Sequence, residues 1–201
     1  MTQTIEKTSQ DKRLTTEIAR LFPRQGEWTE SDYFRLPETN QIVELSEGRL
    51  IITPAPKPKH QKISLNLSFL FITYVRSQKS GELAYAPIDV RLWEGNVRQP
   101  DIAFMSNEHL DRITEELWGV PDLVVEILSE GTTKEDRINK FFEYLRAGVL
   151  EYWIVDPFKQ SIEIYVLENG VYELLGKWGA GEIAKSKLLD GFEVSIDEVM
   201  V

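Results

Sequence analysis

Two acidic side chains stand inside otherwise aliphatic runs of this chain. Glu126 interrupts Leu123-Val124-Val125-Glu126-Ile127-Leu128, and Asp101 heads Ile102-Ala103-Phe104-Met105. Burying a carboxylate beside aliphatic neighbours is costly unless a cation or hydrogen-bond donors meet it. Two acids at comparable points of neighbouring strands could share one divalent cation. A bound cation activates water and neutralises charge on a phosphoryl group, which is what phosphodiester hydrolysis needs. Mg2+ favours oxygen ligands and keeps several waters, so two or three carboxylates suffice.

Other residues could complete such a site. Glu44 lies in Ile42-Val43-Glu44-Leu45, where alternation offers either a third acid or an ordinary residue on the wet face of a hairpin. His60 follows a proline-rich stretch and opens a long helix, so it can meet phosphate or simply pack locally. Lys140 is the candidate cation. Its helical phase points it away from the apolar stripe Ile138, Phe141, Phe142 and Leu145, where it either looks over Glu126 or pairs with Asp136 in solvent. Lys57, Lys59 and Lys62 flank His60, and Lys134 and Arg137 follow Glu126. Of these, Lys59, Lys62 and Arg137, with His60, are the candidate phosphate or DNA contacts.

The elements that must hold these residues follow from spacing. Residues 1–20 are polar and read as a flexible segment before a single domain over 21–201. Thr29 caps a short helix, with Asp32 at the capping-box position. Residues 42–45 and 49–52 form a hairpin, and 53–59 are a loop because of Pro54, Pro56 and Pro58. A helix over about 60–78 carries Ile63, Leu67, Leu70, Phe71 and Tyr74 at helical spacing, with Gly81 just past its end. Long strands are expected over 83–93 and 97–105, and a further strand over 123–128. A helix capped by Thr132 or Thr133 then ends at Gly148. A strand at 151–155 precedes a hairpin of 161–167 and 171–175 turned at Asn169-Gly170. The fold class is therefore α+β (mixed α/β), a central mixed sheet flanked by helices.

Composition narrows the function. The chain has 201 residues, 42% of them hydrophobic, enough for a substantial core. Its formal charge of −10 opposes strong nonspecific DNA binding unless bases cluster locally or cations bind. Without cysteine and with only His60 and His109, it has no zinc or disulfide framework. It lacks a secretory signal or a membrane-length apolar run, so the expected location is cytoplasmic.

At these residues the sequence resembles the Uma2 family of restriction endonucleases, in the PD-(D/E)XK nuclease superfamily. The carriers are Val43-Glu44-Leu45-Ser46-Glu47-Gly48-Arg49-Leu50, His60-Gln61, Pro100-Asp101-Ile102-Ala103-Phe104 and Pro121-Asp122-Leu123-Val124-Val125-Glu126-Ile127-Leu128-Ser129. Asp136, Lys140, Tyr144, Gly148-Val149 and residues 151–157 continue the pattern. The resemblance implies a restriction-endonuclease-like fold and a Mg2+- or Mn2+-dependent DNA endonuclease. Asp101 and Glu126 would hold the metal, Glu44 would assist, and a homodimer would cut both strands. The superfamily lysine should stand two residues after Glu126, where this chain has Leu128. The resemblance implies that Lys140 on the next helix substitutes for it. The rival class is a nuclease fold kept as a non-catalytic module that binds nucleic acid or a protein.

Overall fold

The computed structural model describes residues 22–201 apart from 38, 40 and 132. The expected flexible segment 1–20 and the candidate cap Thr132 lie outside the described residues. Helix α1 (Glu30–Tyr33) opens on the expected capping box: the Thr29 hydroxyl accepts from the Asp32 N–H, and the Asp32 carboxylate accepts from the Thr29 N–H. Strands β1 (Ile42–Ser46) and β2 (Arg49–Thr53) pair as the expected hairpin. Its turn residues Glu47 and Gly48 both take positive φ, the conformation that matches strand twist.

Helix α2 (Pro58–Gln78) buries Ile63, Leu67, Phe71 and Val75, one stripe at four-residue spacing. It starts earlier than expected, because Pro58 occupies the first helical turn, where no N–H is needed. Lys79, not Gly81, is the left-handed residue ending it.

Prolines cut both expected long strands. Strand β3 (Gly81–Tyr85) separates from β4 (Val90–Trp93) at Pro87, and β5 (Asn96–Arg98) separates from β6 (Ile102–Ser106) at Pro100. Proline has no N–H to continue a ladder, so each run turns there and its halves join different sheets. One sheet has the order β2-β1-β5-β4. The larger sheet adds β7 (Leu123–Ile127), β8 (Glu151–Asp156), β9 (Ser161–Glu168) and β10 (Val171–Trp178) in the order β10-β9-β8-β7-β6-β3. The β9–β10 turn is the expected Asn169-Gly170, both at positive φ. Among the described strands only β7 and β8 pair in parallel, which demands a crossover.

The central strands of the large sheet, β6 to β8, are buried on both faces. Leu123, Val125 and Ile127 of β7 join a core with α2, while Val124 and Leu128 join a second core beneath helix α3 (Phe141–Ala147). Glu126 lies on that second face by strand alternation. The crossover from β7 to β8 begins as a π-helical run, Glu135–Lys140, and continues as α3, ending at Gly148 with φ 87°. Its buried residues are Asp136, Lys140 and Tyr144, not the expected apolar stripe: Ile138 is 45% exposed and Phe142 62%. Polar side chains that satisfy one another have taken the inward face.

Strands β11 (Ile183–Lys185) and β12 (Glu193–Ser195) and helix α4 (Ile196–Met200) close the first core, with Ala184, Phe192, Val194 and Val199 buried there. None of these was expected from the sequence. No helix among the described residues is long and apolar enough to cross a membrane.

Candidate active site

Register brings the two acids together. Strands β6 and β7 pair with Ile102 opposite Val125 and Ala103 opposite Val124, which leaves Asp101 one residue before β6 and level with Glu126. Glu126 shares the face of Val124 and the crossover helix, while the Asp101 carboxylate turns to the β7 backbone and to His60 of α2. Asp101 Oδ2 accepts the Ile127 N–H at 2.7 Å and lies 3.3 Å from His60 Nε2.

Lys140 stands among the carboxylates. Its Nζ is 2.9 Å from Glu126 Oε1, 3.0 Å from Glu44 Oε1 and 3.5 Å from Asp136 Oδ1. The residue is only 5% exposed, so the solvent-facing alternative is not what the fold contains. Tyr144, one turn further along, donates its hydroxyl to Glu126 Oε1 at 2.7 Å. Glu44 reaches Lys140 from β1 of the other sheet. Its Oε1 also accepts the Gln99 N–H at 2.8 Å, and its Oε2 takes Arg98 Nη1 at 3.1 Å.

The charges are unequally balanced. Burial pushes the Glu126 carboxyl well above the usual carboxylate range; Lys140 opposes this, while Asp136, Asp101 and Glu44 reinforce it. Burial disfavours the Lys140 ammonium too, but Glu126, Glu44 and Asp136 together hold it well above the ordinary lysine value. For Glu44, burial is outweighed by Lys140 and Arg98, and its carboxyl stays below its usual value. Burial would lower His60, yet its contact with Asp101 raises it. Glu126 is thus the acid under strain and Lys140 stays protonated.

These groups line a cleft of about 380 Å³ between the β1–β2 hairpin with its proline-rich loop and the segment following β7. Glu44, Asp101, Glu126, Glu130, Glu135 and Asp136 line it against only Lys57, His60 and Lys140. Among the described residues no three metal-ligating side chains already converge on one point. The donor chemistry nevertheless fits a hard cation: it is all oxygen, acid exceeds base, and Asp101 Oδ1 and Glu126 Oε2 take no hydrogen bond from a described residue.

Most of the candidate DNA contacts lie outside the cleft lining. Only His60 lines the cleft. Lys62 is exposed on α2, and Lys59 Nζ donates to the Pro157 carbonyl at 2.8 Å. Arg137 is engaged by Glu163 at 2.8 Å and Asp156 at 3.5 Å. Lys57 does reach the cleft, paired with Glu130 at 2.7 Å. Sequence reasoning overlooked Arg98 and weighed Asp136 only as a surface partner of Lys140. The signal lay in Asp136, Lys140 and Tyr144, a polar stripe at four-residue spacing.

The family model of Uma2, described as "Putative restriction endonuclease", matches residues 30–197. Among solved structures, one titled as "a putative nuclease belonging to DUF820 from Anabaena variabilis ATCC 29413" superposes with a TM-score of 0.71. It is 20% identical, and the match covers 86% of this chain and 97% of that one. At this identity the likeness is one of fold. No curated protein matches the chain.

Proposed function

The chain belongs to the Uma2 family of restriction-endonuclease-like nucleases, and we propose that it hydrolyses DNA phosphodiester bonds with a Mg2+ or Mn2+ ion held by Asp101 and Glu126. The observation that carries this is the Lys140 ammonium, buried against Glu126 in the cleft that also contains Asp101. A bound cation would supply Lewis-acid polarisation of the phosphoryl group and an activated water. Lys140 offers positive charge and N–H donors where the phosphoryl oxygens gain charge in the transition state. It does so from the crossover helix, in place of the strand lysine whose position is filled by Leu128, buried in the second core. Tyr144 orients Glu126 by keeping one carboxylate oxygen engaged. Both Glu44 oxygens are taken by protein donors, so it assists by holding Lys140 and not as a metal ligand. Cutting both strands would require two such sites, which a twofold homodimer supplies.

Incubating supercoiled plasmid with purified protein, with and without Mg2+ or Mn2+, tests this directly. Metal-dependent nicking, lost in Asp101→Asn and Glu126→Gln, is the expected result. Binding of DNA without cleavage under all these conditions would favour the rival, a non-catalytic module, which the net charge of −10 and the absence of the strand lysine suit.

A further inference from the structure

We propose that Arg98 is the positioning residue for Lys140, an inference that rests on the reading of Lys140 as the catalytic cation. Arg98 is fully buried, at 0% exposure, on β5 of the smaller sheet, so it is withdrawn from substrate. Its guanidinium is divided among three acids. Nη1 meets Glu44 Oε2 at 3.1 Å, Nη2 meets Glu135 Oε1 at 2.8 Å, and Nε meets Glu143 Oε2 at 2.5 Å.

The choice of partners is what gives this cation a role. Glu135 and Glu143 bracket Lys140 on the same crossover helix, one before it and one after. Glu44 is the side chain whose other oxygen holds the Lys140 ammonium. One planar fork therefore fixes the backbone that carries the lysine at two points and its acceptor at a third. The acids are themselves restrained: Asn139 donates to Glu135 Oε2 at 2.6 Å and Ser46 donates to Glu143 Oε1 at 2.6 Å.

Lys140 needs such restraint. A lysine side chain is long and rich in rotamers, and placing its charge to within a fraction of an ångström costs conformational entropy that the surroundings must offset. Charge balance alone would be served by any cation at position 98. Only arginine presents donors in fixed in-plane directions that reach three carboxylates at once. The smaller sheet grips the crossover helix through this fork, so that sheet acts as the bracket of the active site.

Arg98→Lys separates position from charge, since it keeps the cation and loses the fork. Two readouts decide. One is acylation of Lys140 by an amine-reactive reagent, followed by mass spectrometry under native conditions, and it needs no activity. The other is plasmid nicking, resolved into DNA affinity and turnover. Glu151→Gln serves as the control. Glu151 is a buried acid that staples Ser186, Lys187 and Leu188 to β8, so its loss weakens the fold without touching the fork.

The expected result is Lys140 acylating at least about tenfold faster in Arg98→Lys, with turnover down about a hundredfold and DNA affinity unchanged. Glu151→Gln should leave Lys140 protected. Lys140 remaining protected in Arg98→Lys would overturn the proposal, as would labelling no faster than in Glu151→Gln. If Lys140 becomes reactive while nicking is unchanged, the positioning stands and the catalytic role of Lys140 falls. If the parent protein cuts no DNA, the labelling experiment still decides the position of Lys140.

Discussion

At the scale of the residue, the site concentrates like charge around Lys140, with Arg98 on Glu44 and His60 on Asp101 sharing the offset. Glu126 is the group to titrate. Its folded-state value lies above its ordinary one, so its protonated form is favoured by folding, and the stability it contributes is full below about pH 4.5. That contribution is lost as pH rises through the shifted value. Glu126→Gln, which imitates the neutral form, should therefore raise the melting temperature at pH 8, with the gain shrinking toward pH 4.5, while metal-dependent nicking falls at least about a hundredfold. Thermal unfolding at the two pH values and a plasmid assay check both parts. Lys140→Ala has the opposite consequence for stability. It leaves Glu44, Glu126 and Asp136 facing one another in a buried site, and breaking a buried ion pair on one side costs about 3–5 kcal/mol. A denaturant titration should show that loss at pH 7, partly recovered in acid, together with a turnover loss of about a hundredfold.

At the scale of the element, the site depends on how one crossover helix is wound. The π-helical run at Glu135–Lys140 carries an extra residue per turn relative to an α-helix, and such insertions recur at functional positions. Deleting Ile138, whose side chain is 45% exposed, would allow an α-helical turn and set Asp136 three residues before Lys140 instead of four, disturbing the turn that aims both side chains inward. The deletion variant should keep its helical circular dichroism and lose nicking by at least about tenfold; undiminished nicking would show the winding to be incidental. These elements differ in how far they were legible. The hairpins at Gly48 and Gly170, the capping box at Thr29 and the stripe of α2 are local, so their residues declare them. The breaks at Pro87 and Pro100 were written in the chain, but which sheet each half joins is settled by tertiary pairing. The acids of the site were visible as carboxylates in aliphatic strands. The inward turn of Lys140 was not, because an apolar stripe is the usual guide to a buried face and here the buried face is polar.

At the scale of the whole molecule, a chain of net charge −10 offers DNA few cations beside the cleft, chiefly Lys57 at its rim and Lys59 and Lys62 nearby on α2. Counterion release then involves about two or three phosphates, so the slope of log affinity against log salt should be roughly −2 to −3. Titrating a short duplex by fluorescence anisotropy across salt concentrations measures it; a slope steeper than about −6 would reveal a larger basic surface. Mg2+ at about a hundred times its dissociation constant should add about 2.7 kcal/mol to the stability of the folded protein and nothing to Glu126→Gln. The contact between Glu44 and Lys140 joins the earliest strand of the described fold to a residue 96 positions later, whereas Glu126 and Lys140 are separated by only 14. During synthesis at roughly 5–20 residues per second, β1 would wait about 5–20 s for that lysine. A growing chain therefore carries Glu44 long before its cation, and the proposed site can assemble only when the crossover helix has left the ribosome.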